Sequence, residues 1–563
     1  MRFFLTHSSP KLLSRETIAA FVFFALYFFI GWYILPDYGL SWDEFLQRRY
    51  GLHSYDFVVK TLGLDWPMYF PQYQLETSAG RQYSIIFSLI AAGFEKLAGI
   101  DADDFHAQYL LRHRMLFVLF WTATIAFYQL LRLRFETALQ KENPSFPFFK
   151  NGLPLLGTLL LILTPRIFAH SFFNPKDIVL LSFYIISLYT LVRYLKNPTL
   201  LAGLLHGVAC AFVVNSRIAG IIVPVLSVGF IGLQLFKNVR TSGTVLLRQY
   251  VKSFPVFFIV FMLLAIAFFP YLWNSVDQRA TEAFNLMSNF PKSIHTLFFG
   301  HYVSSNPPPF YYPYAWMAIT LPLLNLFLLL AGIFWFIKTL ASNLMRWKLW
   351  TNFPEFIDLI AFAFLSGPLF AVWLFHSTIY DGWRHFYFIY PPALMLGLVP
   401  LHGLWRSKLQ FLRQLTMMIV LVSCLYTGYK MVKLHPHQQV YFNVLAGGNR
   451  MERFEMDYWG VAYKQAFEEL VRKDTTGEMI QVFCANQPCF DNYFALPEEI
   501  KSHIRMRYGM EVAQYYLTNY RFRPEMEKFC KGEFPFDEEY FSIMADGERI
   551  IGVYKVERLK VKD

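Results

Sequence analysis

The chain has 563 residues, of which 55% are hydrophobic and 19% aromatic but only 16% charged, whereas about a quarter of a soluble globular chain is charged. This balance excludes a soluble globular protein and describes a polytopic membrane protein. The net charge of +11 does not signal nucleic acid, because the lysines and arginines fall mainly in short loops between apolar runs, where they orient a membrane protein.

The first apolar run, Thr17 to Leu35, follows Arg2, Lys11 and Arg15. It is long enough to cross and no small-residue cleavage site follows, so it reads as an uncleaved first span. Directly after it comes Tyr38-Gly39-Leu40-Ser41-Trp42-Asp43-Glu44. Two adjacent carboxylates where the chain leaves the bilayer are costly unless they have a task; the plain alternative is a solvated acid pair beside a helix.

Further apolar runs near 114–133, 152–169, 178–195, 199–214, 218–236, 254–272, 315–337, 356–375, 386–403 and 414–432 bring the expected spans to eleven. The short run 84–98 carries Glu95 and Lys96. Counted as a span, it would put the basic segment 134–151, with Arg134, Lys141 and Lys150, outside; as an amphipathic helix on the outer interface, it keeps that segment inside. The N-terminus is then cytoplasmic and the chain after 433 external. The other external segments are 37–113, 166–177, 215–217, 273–314 and 376–385.

From His435 the charge rises and long apolar runs stop. Tyr458 to Lys473 and Pro497 to Tyr508 read as helices, and Met479 to Cys484 and Arg549 to Val556 as strands, which together predict a small external α/β domain. Five cysteines without metal-type spacing exclude a zinc finger and a multi-disulfide scaffold. Cys210 and Cys424 fall in predicted spans. Cys484 and Cys489 bracket a short loop that either closes a disulfide in an oxidising compartment or leaves two thiols, and Cys530 is left over.

The outer side carries cations, against the usual bias. At the end of the third span, Thr164-Pro165-Arg166-Ile167-Phe168-Ala169-His170-Ser171-Phe172-Phe173-Asn174-Pro175-Lys176-Asp177 gathers two cations, a histidine, an amide and a carboxylate. The prolines at both ends predict a non-helical turn; a plain structural turn with Asp177 capping the next helix is the alternative. Arg217 lies in a break of a few residues between two spans, Arg384 and His385 at another outer end, and Arg81 before the interfacial helix. Each alone reads as a snorkelling headgroup contact. Together they predict an outer cationic pocket facing Asp43, Glu44 and Asp177. Arginines and lysines hold a phosphate and neutralise the charge that grows on it as it leaves, and a nearby carboxylate takes the proton from an incoming hydroxyl or amine.

On these residues the chain resembles the GT-C superfamily of integral-membrane glycosyltransferases that use polyprenyl-phosphate sugars, nearest the protein O-mannosyltransferase and aminoarabinose-transferase branch. The resemblance covers about 17–432 and rests on the Asp43-Glu44 pair, the helix behind it, the Pro165–Asp177 segment and Arg384 to Pro392. It implies a GT-C-like transmembrane catalytic domain over 17–432, after a cytoplasmic terminus 1–16 and before a periplasmic α/β domain 433–563. It also implies Asp43 as base with Glu44 beside it, Asp177 as a second site acid, and Arg166, Lys176, Arg217, Arg384 and Arg81 as phosphate ligands, with His170, Asn174 and His385 lining the site. Branches of the superfamily differ over a divalent cation, and three carboxylates could hold one or hydrogen-bond an arginine. Asp457-Tyr458-Trp459-Gly460 superficially resembles the acceptor-binding motif of oligosaccharyltransferases but lacks the preceding tryptophan pair. It is read as a turn and helix start whose aromatics anchor the domain on the membrane surface. The expected function is sugar transfer from a polyprenyl-phosphate donor to a lipid, polysaccharide or protein acceptor at the periplasmic face of the inner membrane. The competing expectation is a glycolipid transporter using the same pocket.

Overall fold

A computed structural model describes residues 15–72, 74–78, 80–83, 85–140, 152–240, 244–288, 293–521 and 536–556. Arg2, Lys11, Lys141, Lys150 and Cys530 lie outside them.

The predicted first span is helix α1, Arg15–Ile34. The segment expected to be a long external loop holds more helix than the apolar pattern predicts. The 20-residue helix α2, Trp42–Thr61, starts at the acid pair itself and is polar on average, so a search for apolar runs passes over it. The helix expected over 84–98 is α3, Ile86–Leu97, strongly one-sided. It packs between α2 and the long α4, Phe105–Gln140.

The predicted span 152–169 is broken: α5, Gly152–Ile162, and α6, Pro165–Phe173, meet at 68°. The segment predicted as a non-helical turn is therefore helical. Pro165 stands in the first turn of α6, where its missing N–H costs nothing and its fixed φ favours the helix. At that position proline initiates a helix rather than breaking one. Beyond Asn174, α7 runs Asp177–Lys196.

The short helix α8, Leu200–Ser216, is followed by α9, Ile222–Arg240, and α10, Thr244–Ala267. Then come α11, Val276–Ser288, and a hairpin of β1, His295–Phe298, with β2, His301–Ser304. The predicted run 315–337 divides at Pro322 into α12, Tyr312–Thr320, and α13, Leu323–Leu344. The bundle ends with α14, Phe353–Leu374, α15, Tyr390–Trp405, and α16, Gln410–Leu434. Among the described residues nine helices are long and apolar enough to cross a membrane, and ten spans result if the bent pair counts as one. The eleventh predicted span is α8, whose 17 residues measure about 25 Å.

Inside a bilayer, helices associate where small residues let backbones approach. A Cβ on Gly332 of α13 would lie 2.4 Å from the backbone nitrogen of Gly397 on α15. Only glycine allows that crossing.

After α16 the chain forms α17, Arg450–Arg453, α18, Tyr463–Lys473, β3, Ile480–Cys484, and α19, Gln487–Phe494. The helix predicted over Pro497–Tyr508 is instead one turn, α20, Glu498–Lys501, and then β4, Ile504–Arg507. Alternation of Ile504 and Met506 with arginines suits a strand packed on one face. The sheet is completed by β5, Tyr515–Thr518, β6, Phe536–Ala545, and β7, Glu548–Val556. Its order is β4-β3-β5-β7-β6, with β3 parallel to both neighbours and β7 antiparallel to β5 and β6. Cys484 and Cys489 are joined in a disulfide.

The sheet region docks closely on the helices. The Asn492 side chain accepts from the Leu40 N–H at 2.8 Å and donates to the Leu40 carbonyl at 3.0 Å. This pair fixes the strand-like link just ahead of Asp43.

Candidate active site

The start of α2 is built by a capping box. Glu44 Oε1 accepts from the Ser41 N–H at 2.7 Å, and the Ser41 hydroxyl donates to the Phe173 carbonyl at 2.8 Å, which ties α2 to the end of α6. Glu44 is buried, and its second oxygen lies 2.7 Å from His113 Nε2. Both of its oxygens are thus engaged in holding structure.

Asp43, one residue earlier on the helix, is placed differently. Its Oδ2 lies 3.8 Å from both Lys176 Nζ and Arg384 Nη1, too far for a hydrogen bond, and has no hydrogen-bond partner. The Asp43 side chain is 21% exposed, Lys176 17% and Arg217 24%, against 2% for Arg384. The first three side chains are therefore partly exposed, while Arg384 is buried beside them.

Asp177 is buried and fully committed. One oxygen pairs with Arg217; the other accepts from Arg384 Nη1 at 2.9 Å and from Asn174 Nδ2 at 3.0 Å. Asn174 Oδ1 also accepts the Asp177 N–H at 2.9 Å, so the amide sets where the acid leaves the α6–α7 corner. Arg384 continues to Asp381 Oδ2 at 3.5 Å, and its guanidinium lies 4.6 Å from the Trp459 ring and 4.9 Å from Tyr380. Asp381 is held in turn by Arg521 Nη2 at 2.8 Å.

The candidates named from the sequence thus separate. Asp43, Lys176, Asp177, Arg217, Arg384 and Asn174 come together. His385 stands beside them, its ring 4.9 Å from that of Tyr380. His170 lies one layer deeper, with Trp459 Nε1 3.3 Å from its Nε2 and Asn174 Nδ2 3.0 Å from its Nδ1. Arg166 is buried apart from the carboxylates, donating to the Tyr441 carbonyl at 3.0 Å between the rings of Trp316 and Phe442. Arg81 bonds the nearby Ser78 carbonyl at 3.1 Å.

Five participants escaped the sequence reading. Tyr83 lies under Lys176, with the ammonium 5.4 Å from its ring, and burial pushes its hydroxyl up to about 12. Tyr380 and Asp381 sit in the Tyr380-Asp381-Gly382-Trp383-Arg384 stretch, where only the cation was singled out. Arg521 and Trp459 come from the sheet region. Tyr458 and Trp459 were expected on the membrane surface; both are instead fully buried against the site. The signal was present, since an Asp-Tyr-Trp-Gly element is an unusual density of large side chains, but nothing local says which surface they meet.

Among the described residues no group of three or more histidines, cysteines or acids is arranged to hold a metal ion. The acids at the site face arginines: Asp177 and Asp381 both contact Arg384, and Glu44 is spent on Ser41 and His113.

These features define a polytopic helical membrane protein whose charged site lies at the helix ends, under a mixed-sheet region. No protein-family profile matches the chain, and no curated protein sequence matches it. Among solved structures it is similar to ArnT from Cupriavidus metallidurans bound to undecaprenyl phosphate, at 11% identity and a TM-score of 0.45, with 95% of this chain and 98% of that chain covered.

Proposed function

We propose that the protein is an inverting glycosyltransferase that moves a sugar from a polyprenyl-phosphate donor to an acceptor at the periplasmic face of the inner membrane. The observation that carries this reading is the carboxylate of Asp43, whose Oδ2 has no hydrogen bond and lies 3.8 Å from two cations. A carboxylate in that state can take a proton from an incoming hydroxyl or amine as the new glycosidic bond forms. The cations stabilise the negative charge that develops on the departing lipid phosphate.

Exposure divides the cationic roles. Lys176 and Arg217 are partly exposed and would contact the phosphate, while buried Arg384 acts as a fixed counter-charge. Double displacement would require a second carboxylate free to attack the sugar. Asp177 is a poor candidate, because both its oxygens are held by arginines, and single displacement inverts the anomeric centre. In this reading α1 to α16 form the transferase body, and the region from 433 onward lies outside the membrane with the site.

Purified protein supplied with a polyprenyl-phosphate sugar and candidate acceptors should release free polyprenyl phosphate in step with glycosylated product. A donor that crosses the bilayer intact, with no lipid phosphate released, would replace the transferase with a transporter.

A further inference from the structure

Asp43 and Arg384 are 3.8 Å apart and share no hydrogen bond. An aspartate and an arginine this close normally close into a charge-assisted hydrogen bond, so their spacing is set from outside the pair. Both are anchored on one residue. The Trp459 carbonyl accepts the N–H of Trp42, the residue before Asp43, at 3.0 Å. The Trp459 ring packs against the Arg384 guanidinium at 4.6 Å, and its indole N–H points to His170 Nε2 at 3.3 Å.

The neighbouring residues extend the hold. The Tyr458 carbonyl accepts from Arg521, which also binds Asp381, itself 3.5 Å from Arg384 Nη2. Asp457 accepts the Ala462 N–H at 2.8 Å, and Gly460, at φ +72°, turns the chain where a Cβ would lie 2.5 Å from Cβ of Pro488. The turn is therefore rigid in itself and attached both to the residue before Asp43 and to Arg384.

We propose that the Asp457–Gly460 turn is a positioning element that keeps Arg384 from closing onto Asp43, and that Trp459 is its principal residue. Asp177 holds Arg384 Nη1 at 2.9 Å and the indole fixes the tilt of the guanidinium; released from the indole, Arg384 would swing from Asp177 onto Asp43 and spend the lone pair that accepts the proton. The inference rests on the transferase reading for its consequence and on the contacts above for its geometry.

The test uses full-length protein with Trp459→Leu, Trp459→Phe and Arg521→Gln. Three quantities are measured: kcat for transfer from a polyprenyl-phosphate sugar, Kd for a long-chain polyprenyl monophosphate, and hydrogen exchange over 381–386. Trp459→Leu should lower kcat at least tenfold, keep Kd within threefold of wild type and speed exchange over 381–386. Trp459→Phe, which keeps a ring over Arg384, should stay within threefold in kcat.

Unchanged kcat in Trp459→Leu overturns the proposal, as does a parallel fall of kcat, lipid affinity and melting temperature, which would mark a merely structural tryptophan. Should Trp459→Leu not fold, Arg521→Gln set against Trp459→Phe makes the same comparison. If exchange responds as expected but wild type transfers no sugar, the positioning stands and the transferase reading falls.

Discussion

Two acid–arginine clusters stand at the same end of the helix bundle. In one, Glu95 of α3 is gripped by Arg48 of α2 at 2.9 Å and Arg112 of α4 at 2.5 Å, and also accepts from the Tyr69 hydroxyl at 3.2 Å. In the other, Asp177 is gripped by Arg217 and Arg384. Each is a buried carboxylate between two arginines. They differ in what lies next to them. Beside Glu95 the nearby acids Glu44 and Asp56 are spent, on Ser41 and His113 and on the Tyr69 and Phe70 N–H groups. Beside Asp177 stands Asp43, mostly buried and without a hydrogen bond to Oδ2. A buried ion cluster by itself is architecture; one that holds an uncommitted group in its field is a candidate site.

The sharpest way to break this contrast is Asp43→Asn. It removes the proposed base while keeping shape, and on that reading transfer should fall by roughly 10³–10⁴-fold, toward the upper end of what general-base loss costs. Thermal unfolding should move little, because Asp43 Oδ2 makes no hydrogen bond whose loss would be felt. Undiminished product formation in a steady-state assay would remove Asp43 from the mechanism.

Glu95→Gln should do the opposite. Two buried arginines lose their counter-charge, which costs about 3–5 kcal/mol of stability, read as a large drop in melting temperature. The fraction that remains folded should keep the wild-type kcat. A selective loss of kcat with full stability would show that the two clusters are one functional unit.

A third effect is set by pH. Burial pushes the Glu455 carboxyl, which faces Asp381 and Arg521, up to about 7. A carboxyl raised in the folded state contributes stability that is fully present below its unfolded value near 4.5 and lost as pH rises through 7. Glu455→Gln should therefore stabilise the protein at pH 8, by roughly 3 kcal/mol at most, and make almost no difference at pH 4. Melting curves at the two pH values measure this. Equal effects at both would place the Glu455 proton elsewhere.

The apolar runs made the bundle legible in the sequence, because a bilayer demands long apolar helices and little else has them. Polar α2 was not legible, since its burial is against α3 and the sheet region rather than lipid. The cations were found by their side of the membrane, which is a property of loops. That rule could not separate Arg166, which packs on aromatic rings, from Arg384, which packs on both an aromatic ring and carboxylates. Nor could it find Arg521 or Trp459, more than seventy residues closer to the C-terminus than Arg384. Their contacts are made by tertiary packing with no local pattern.

The smallest effect tests the division of labour among the cations. Lys176 is the partly exposed ammonium: it is 3.8 Å from Asp43, and lies over the Tyr83 ring. Lys176→Gln removes one charge from the proposed phosphate contact and should weaken binding of a polyprenyl phosphate about tenfold, near 1.4 kcal/mol, the scale of one partly screened charge-assisted contact. Lys176→Arg should restore most of it, since a guanidinium also pairs with phosphate. Arg166→Gln should leave lipid affinity near wild type, because Arg166 is bonded to a carbonyl and stacked between rings away from Asp43. Equilibrium binding of the lipid to the three variants decides the matter. A larger loss for Arg166→Gln than for Lys176→Gln would move the phosphate from beside Asp43 to the deeper aromatic layer.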